Sequence, residues 1–367
     1  MTKDEILIWI PDLPCIRIFL KCLDMGNRIV YNNSKRTFLK NQRKKDGNTI
    51  MKMKKLLLLL GVMLMGICLL CSCGSKESSM DKNGFQYTEL EDGTYSVSLE
   101  NCTAEEVLIP AKYNGQKVTA IGGMCINTDI VSIKVPNTVT KIGDRAFYYC
   151  TSLKEITIPN SVKSIGEEAF FGCVSLSAVR IPNKTETIGA KAFSGCASLT
   201  EVKIPDSVVT IGEEAFRACT SLAKISVGQN VKNIGAGAFR GCVSLTAIVT
   251  PDGIHDIGKE VFKDCESLVT VTLGKGMEEV GNNAFEGCEA LVQVIAPDSL
   301  KKIGENIFSD CDSLYAVYYA GDKNVWGKIE VKDSNEALTD ALCYYSETTP
   351  EKDGFFWRYV DNKPVVW

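Results

Sequence analysis

The chain has 367 residues, with 41 Lys and Arg against 45 Asp and Glu, a formal net charge of -4. So balanced a charge offers no concentrated basic face, which excludes nucleic acid as an expected partner. A single histidine, His255, removes most metal-ligand sets and most imidazole acid–base chemistry, so no metal, no cofactor and no enzymatic activity are expected.

Residues 1–50 show no period and hold a basic run from Lys35 to Lys45. They read as a leader upstream of the real start, which is expected at Met51 or Met53. Met51-Lys-Met-Lys-Lys55 is a short basic head, and Leu56 to Leu70 is an apolar run of 15 residues. That run is shorter than the roughly 20 residues a membrane span needs. A basic head, an apolar core and a small-residue cleavage site make a secretory signal. The sequence Leu70-Cys71-Ser72-Cys73-Gly74-Ser75 resembles a bacterial lipobox, which implies cleavage before Cys73 and a diacylglycerol on its sulfur, with membrane attachment through that lipid. Residues 51–72 are then a lipoprotein signal peptide and Cys73 the lipidation site; a plain signal peptide or an uncleaved anchor is the alternative. Residues 73–84 read as a polar, flexible tether.

Residues 85–122 read as an N-terminal cap. Phe85 to Glu100 alternates apolar and polar residues around Asp92-Gly93, a hairpin signal. Beyond the cap one cysteine returns every 23 residues, at Cys150, Cys173, Cys196, Cys219, Cys242, Cys265, Cys288 and Cys311. An Ile-Gly or Val-Gly pair keeps the same register from Ile142-Gly143 to Ile303-Gly304. So does a phenylalanine from Phe147 to Phe308. A fixed period of this length marks stacked repeats. One unit runs Leu153-Lys-Glu-Ile156-Thr-Ile158-Pro159, then Val162, Ile165, Gly166, Ala169, Phe170 and Cys173. This unit resembles the BspA-like leucine-rich repeats of bacterial surface proteins, over roughly residues 104 to 319. The resemblance implies an α/β repeat solenoid of 23-residue coils, with short parallel strands, short helical turns and hairpin-like caps.

Within that frame, 123–319 is the solenoid and 109–122 resembles the family's first coil, with Asn114-Gly115 in place of the usual interior. The following coil is degenerate, with Asn127 at the ladder position and Cys125 nearby. In each regular coil the Ile156-Thr-Ile158 type of segment is a strand closed by proline, and Val162 to Ile165 is a second short wall. The recurring glycine calls for either a left-handed backbone or a close backbone approach. Ala169 to Cys173 is expected to form a helical turn. Stacked coils would hold equivalent cysteines about 5 Å apart with parallel side chains, poor geometry for disulfides. The ladder is therefore read as buried free thiols filling small apolar spaces. Thr250 and Ala296 are weaker fillers, where local softening is expected.

Residues 320–367 read as a C-terminal cap, holding Trp326, Trp357 and Trp367. They either plug the open apolar end of the stack or offer an aromatic platform. The outward strand positions form columns, one reading Thr157, Arg180, Lys203, Ser226, Val249, Thr272, Ile295 and Tyr318. Its first half is charged and its second half neutral or apolar. Exposed apolar positions on a sheet mark binding sites, so Val249, Thr272, Ile295 and Tyr318, with Arg180 and Lys203, are the candidate binding residues. The competing reading is that the C-terminal segment folds over Val249, Ile295 and Tyr318. The resemblance implies adhesion to host matrix proteins or neighbouring cells. The expected protein is thus a monomeric, lipid-anchored recognition protein of the cell envelope, exposed outside the cell, that binds an extracellular protein or glycan. A non-catalytic scaffold lipoprotein of the envelope is the alternative.

Overall fold

A coil of this sequence can form only short strands, because apolar and polar residues alternate for about three positions before a proline or glycine ends the run. The computed structural model describes residues 79–99, 101–125, 129–346, 356–360 and 363–366. The leader, the signal segment and the lipidation site at Cys73 lie outside them. About 11 coils stack on one another. Each regular coil crosses a front wall, as in Glu155–Thr157, Lys224–Ser226 and Thr270–Thr272, and a back wall, as in Ser164–Ile165, Thr210–Ile211 and Glu279–Val280. Back strands pair in parallel at a constant offset: Ile165 faces Ile142 and Ile188, and Ile211 faces Ile188 and Ile234. The fixed period is the cause, since it sets each residue above its own equivalent. The front wall is less continuous. At Ala178 it narrows to a single bridge with Glu155, and from Ala247 onward it forms one seven-stranded sheet.

Between the walls lies the core. Phe147 through Phe308 form one column of rings with centroids 5.0 to 5.6 Å apart, parallel from Phe170 onward. The cysteines from Cys150 to Cys311 are buried and unbridged. They do more than fill space: Cys219 Sγ–H donates to the Phe193 carbonyl at 3.2 Å, and Cys242 to Phe216 at 3.2 Å. The degenerate coil keeps the ladder through Cys125, whose Sγ lies 3.7 Å from that of Cys150; Asn127 is outside the described residues. Thr250 is also more than a weak filler. Its buried Oγ1 accepts the Gly274 N–H at 2.8 Å.

One local expectation is corrected, and another narrows to one of its two alternatives. Ala169 to Cys173 is a run of tight turns rather than a helical turn. Alternate N–H groups there donate to the next coil: Glu168 to Ala190 at 2.9 Å, Phe170 to Ala192 at 2.7 Å and Gly172 to Ser194 at 2.8 Å. The intervening ones close turns within the coil, as Phe171 to Glu168 at 3.1 Å and Cys173 to Phe170 at 3.2 Å. Left-handed φ values at Glu168 (53°) and Gly172 (70°) allow the alternation. A helix would keep every bond inside one coil and leave the next coil's carbonyls without donors. The recurring glycine, in turn, serves close approach and not a left-handed backbone. None of the series from Gly143 to Gly304 has a positive φ, and a Cβ on Gly235 would stand 2.5 Å from Glu213 N of the coil below.

Non-repeating segments continue the walls at both ends. Gln86–Glu89 and Tyr95–Ser98 form an antiparallel hairpin, and Tyr95–Ser98 then pairs in parallel with Gln116–Ile121. At the other end Leu342–Tyr345 and Phe356–Val360 add parallel strands beside Ala316–Tyr319, and Lys363–Val366 returns antiparallel. Two short helices, Lys323–Trp326 and Glu336–Ala341, lie between. The buried Asn335 seals the last coil: its Oδ1 accepts the Ile307 N–H at 3.1 Å and its Nδ2 donates to the Gly304 carbonyl at 2.8 Å.

Candidate recognition surface

In each three-residue front strand the middle residue points inward and its two neighbours outward. In Ala247-Ile248-Val249 the middle isoleucine is buried while Val249 is 63% exposed. Lys203 is exposed as the last residue of Glu201–Lys203. Arg180 is exposed just past the single bridge at Ala178. Thr272 and Ile295 are half-buried. The charged half of this wall carries a Lys224–Glu201 pair at 3.3 Å. Both groups are solvated, so the pair adds little to stability.

Tyr318 does not belong to an open surface. It is 5% exposed, with the Trp357 ring 5.4 Å away and Cys343 packed beside it. Burial raises its phenol above the usual value. Trp357 is fully buried and its Nε1–H donates to the Tyr319 carbonyl at 2.9 Å. The C-terminal strands therefore cover Tyr318 and pack against Ile295, while Val249 stays open. Trp326 is half-buried against the Tyr319 ring, edge to face at 5.0 Å, so it closes the end of the core. Trp367 lies outside the described residues.

A third column escaped notice in the sequence although it keeps the same period. Just before each front strand stands Lys154, Ser177, Thr200, Ala223 or Thr246, and then Val269, Val292 and Tyr315. The last three are exposed, Tyr315 at 71%. These three make an apolar strip over the coils where the charged column ends, and Val249 is exposed at the far end of its own front strand. The signal was available: three apolar residues at an outward position that is polar or small in earlier coils.

Among the described residues no group of three His, Cys, Asp or Glu side chains could hold a metal ion. Burial pushes the Cys196 and Cys242 thiols up to about 12, so neither offers a thiolate near neutral pH. His255 is exposed in a turn between front and back walls. A shallow groove of about 510 Å³ opens beside the first front strands, lined by Leu108, Pro110, Lys134, Pro136 and Thr157.

The profile of the BspA type leucine-rich repeat region matches residues 123–245 and 232–325, in six copies. Among solved structures the chain is similar to a leucine-rich repeat protein from Bacteroides ovatus. The identity is 29%, over 73% of this chain and 71% of that one, with a TM-score of 0.62. A leucine-rich repeat protein of T. pallidum is 26% identical over 65% of this chain and 91% of that one, with a TM-score of 0.39. A leucine-rich cell surface protein of Faecalibacterium prausnitzii is 24% identical over 72% of this chain and all (100%) of that one, with a TM-score of 0.37. No curated protein matches the chain.

Proposed function

The chain belongs to the BspA-type leucine-rich repeat family, and from that premise we propose that it is a non-catalytic recognition protein displayed on a bacterial surface, adhering to matrix proteins or to neighbouring cells. The observation that carries the reading is the apolar strip of Val269, Val292 and Tyr315 on the front wall, together with the exposed Val249 of the same wall. These side chains are exposed although the core beneath them is complete, and apolar patches of this kind mark interaction sites. The stacked coils support it as a rigid platform, since every coil is bonded to its neighbours.

Attachment through a lipid on Cys73 is part of the proposal. It rests on the order of basic head, apolar run and lipobox-like residues between Met51 and Ser75. Mass spectrometry of the mature N-terminus tests it: a diacylated Cys73 is expected, and a protein beginning at Met1 would overturn it. For recognition, the purified chain is measured against immobilised matrix proteins and whole cells. Wild type is expected to bind, and V249S combined with Y315S to lose at least tenfold in affinity with an unchanged melting temperature. Binding that survives this double variant removes the strip from the proposal. No binding at all, with an envelope defect on deletion, moves the reading to a structural lipoprotein.

A further inference from the structure

The rim where the chain leaves the back wall carries a second feature, unrelated to the strip on the front wall. Position 149 and its equivalents hold a left-handed backbone: Gly172 (φ 70°), Gly195 (75°), Ala218 (55°), Gly241 (71°), Asp264 (60°), Gly287 (73°) and Asp310 (57°). These are glycines or small residues. Tyr149 (φ 55°) is the one aromatic in this series, in a region where bulky side chains are outliers. Strained residues persist where the surrounding structure holds them, and they cluster at functional sites.

The surroundings accommodate the ring. Gly172 lies above it, where a Cβ would come 2.9 Å from Tyr149 Cδ1 and 3.0 Å from Cε1. Tyr148 and Phe171 stack beside it, centroids 5.2 Å apart and 13° from parallel, and Tyr149 meets both edge-on at 4.9 and 5.4 Å. Elsewhere in the array the Tyr148 position turns polar or charged, as Ser194, Arg217 and Glu286. Tyr149 is 43% exposed. The ring thus packs against Gly172 and the two other rings and still keeps a large solvent-facing part. Arg145 completes the group. Its guanidinium carbon lies 5.9 Å from the Tyr148 ring centroid, and its Nε–H donates to Glu168 Oε2 at 2.6 Å, which leaves the terminal amino groups as donors.

A partly exposed aromatic cluster that meets a half-exposed guanidinium paired to a carboxylate is the chemistry that holds a sugar ring. The apolar C–H face of a pyranose lies on the arene, and neighbouring hydroxyls bond to both charged groups. Other ligand classes fit less well. Glu167 and Glu168 beside the single arginine disfavour a polyanion. An extended peptide finds no open edge, because the N–H groups of Arg145, Phe147 and Tyr149 already donate to Glu167, Ala169 and Phe171. We propose that Tyr148, Tyr149 and Phe171, with Arg145 and Glu168, form a binding site for a neutral hexopyranose glycan on the rim of the array.

The test is calorimetry and saturation-transfer NMR on the full chain with cellohexaose, mannohexaose and chitohexaose. At least one is expected to bind. Y149G installs the residue used at four equivalent positions, Gly172, Gly195, Gly241 and Gly287. It is expected to keep the melting temperature within about 4 °C while lowering affinity at least tenfold. If Y149G does not fold, Y149D replaces it, after Asp264 and Asp310. R145Q is expected to weaken binding without altering stability, and V249S to leave it unchanged, so this site and the front strip fail or succeed separately. No binding of any of the three hexasaccharides overturns the proposal, as does undiminished binding by the Tyr149 variant.

Discussion

Replacing Gly212 by alanine isolates the interaction on which the stack depends. Gly212 does not have a positive φ, so alanine costs nothing in backbone conformation. The whole cost is a collision with the coil below. A Cβ at 212 would stand 2.5 Å from Gly189 C, and also against Ala190 N, well inside ordinary contact between carbon atoms (about 3.5 Å). Both are main-chain atoms in a bonded coil, so relief requires the coils to part by several tenths of an ångström. Overpacking of this kind costs about 1 to 3 kcal/mol. The Gly212 N–H to Ile188 carbonyl bond at 2.9 Å and the neighbouring Thr210–Ile211 pairing stretch with it, each bond adding about 1 kcal/mol. The expected loss is therefore about 3 to 5 kcal/mol, read from urea unfolding. Amide exchange should show lost protection in residues 187–216 first. Gly93 is the control: its φ is +78° and nothing lies within 4 Å of its Cβ position, so alanine there costs only the left-handed backbone, about 1 to 2 kcal/mol. If G212A is no more damaging than G93A, close approach is not why the glycine recurs.

Further outcomes follow from the same geometry. The thiols from Cys150 to Cys311 are buried and should resist alkylation at pH 8 in the native protein, then react fully in denaturant; rapid native labelling would contradict the buried ladder. Burial raises Cys196 and Cys242 from 9.0 to about 12. A raised thiol stabilises the fold below the unfolded value and loses that contribution as pH climbs towards the folded one. The urea midpoint should accordingly be flat from about pH 6 to 8 and fall above about 9, by about 1.4 kcal/mol per pH unit for each thiol. W357A removes a fully buried indole and its bond to the Tyr319 carbonyl. It should cost about 3 to 5 kcal/mol and free the amides of Leu342–Tyr345 to exchange while coils around Phe170 and Phe216 keep their protection, because repeats respond locally.

The 23-residue period was enough to place the thiol ladder, the phenylalanine column and the outward columns, because a constant offset carries each side chain onto its own equivalent. It was also enough to give Val249 an outward direction. What lies over an outward residue is another matter, since no period relates the non-repeating C-terminal strands to the columns. Only the packed structure shows that Trp357 covers Tyr318 and stops short of Val249. The turn from Glu168 to Cys173 is a second case. Its composition suits a helical turn, but its N–H groups find their acceptors in the next coil, and bonds between coils come into being only once the coils stack. The glycine divides in the same way: its recurrence is written in the chain, while the reason for it, a main-chain atom of the neighbouring coil where a Cβ would stand, belongs to the distance between coils and so to the tertiary structure alone.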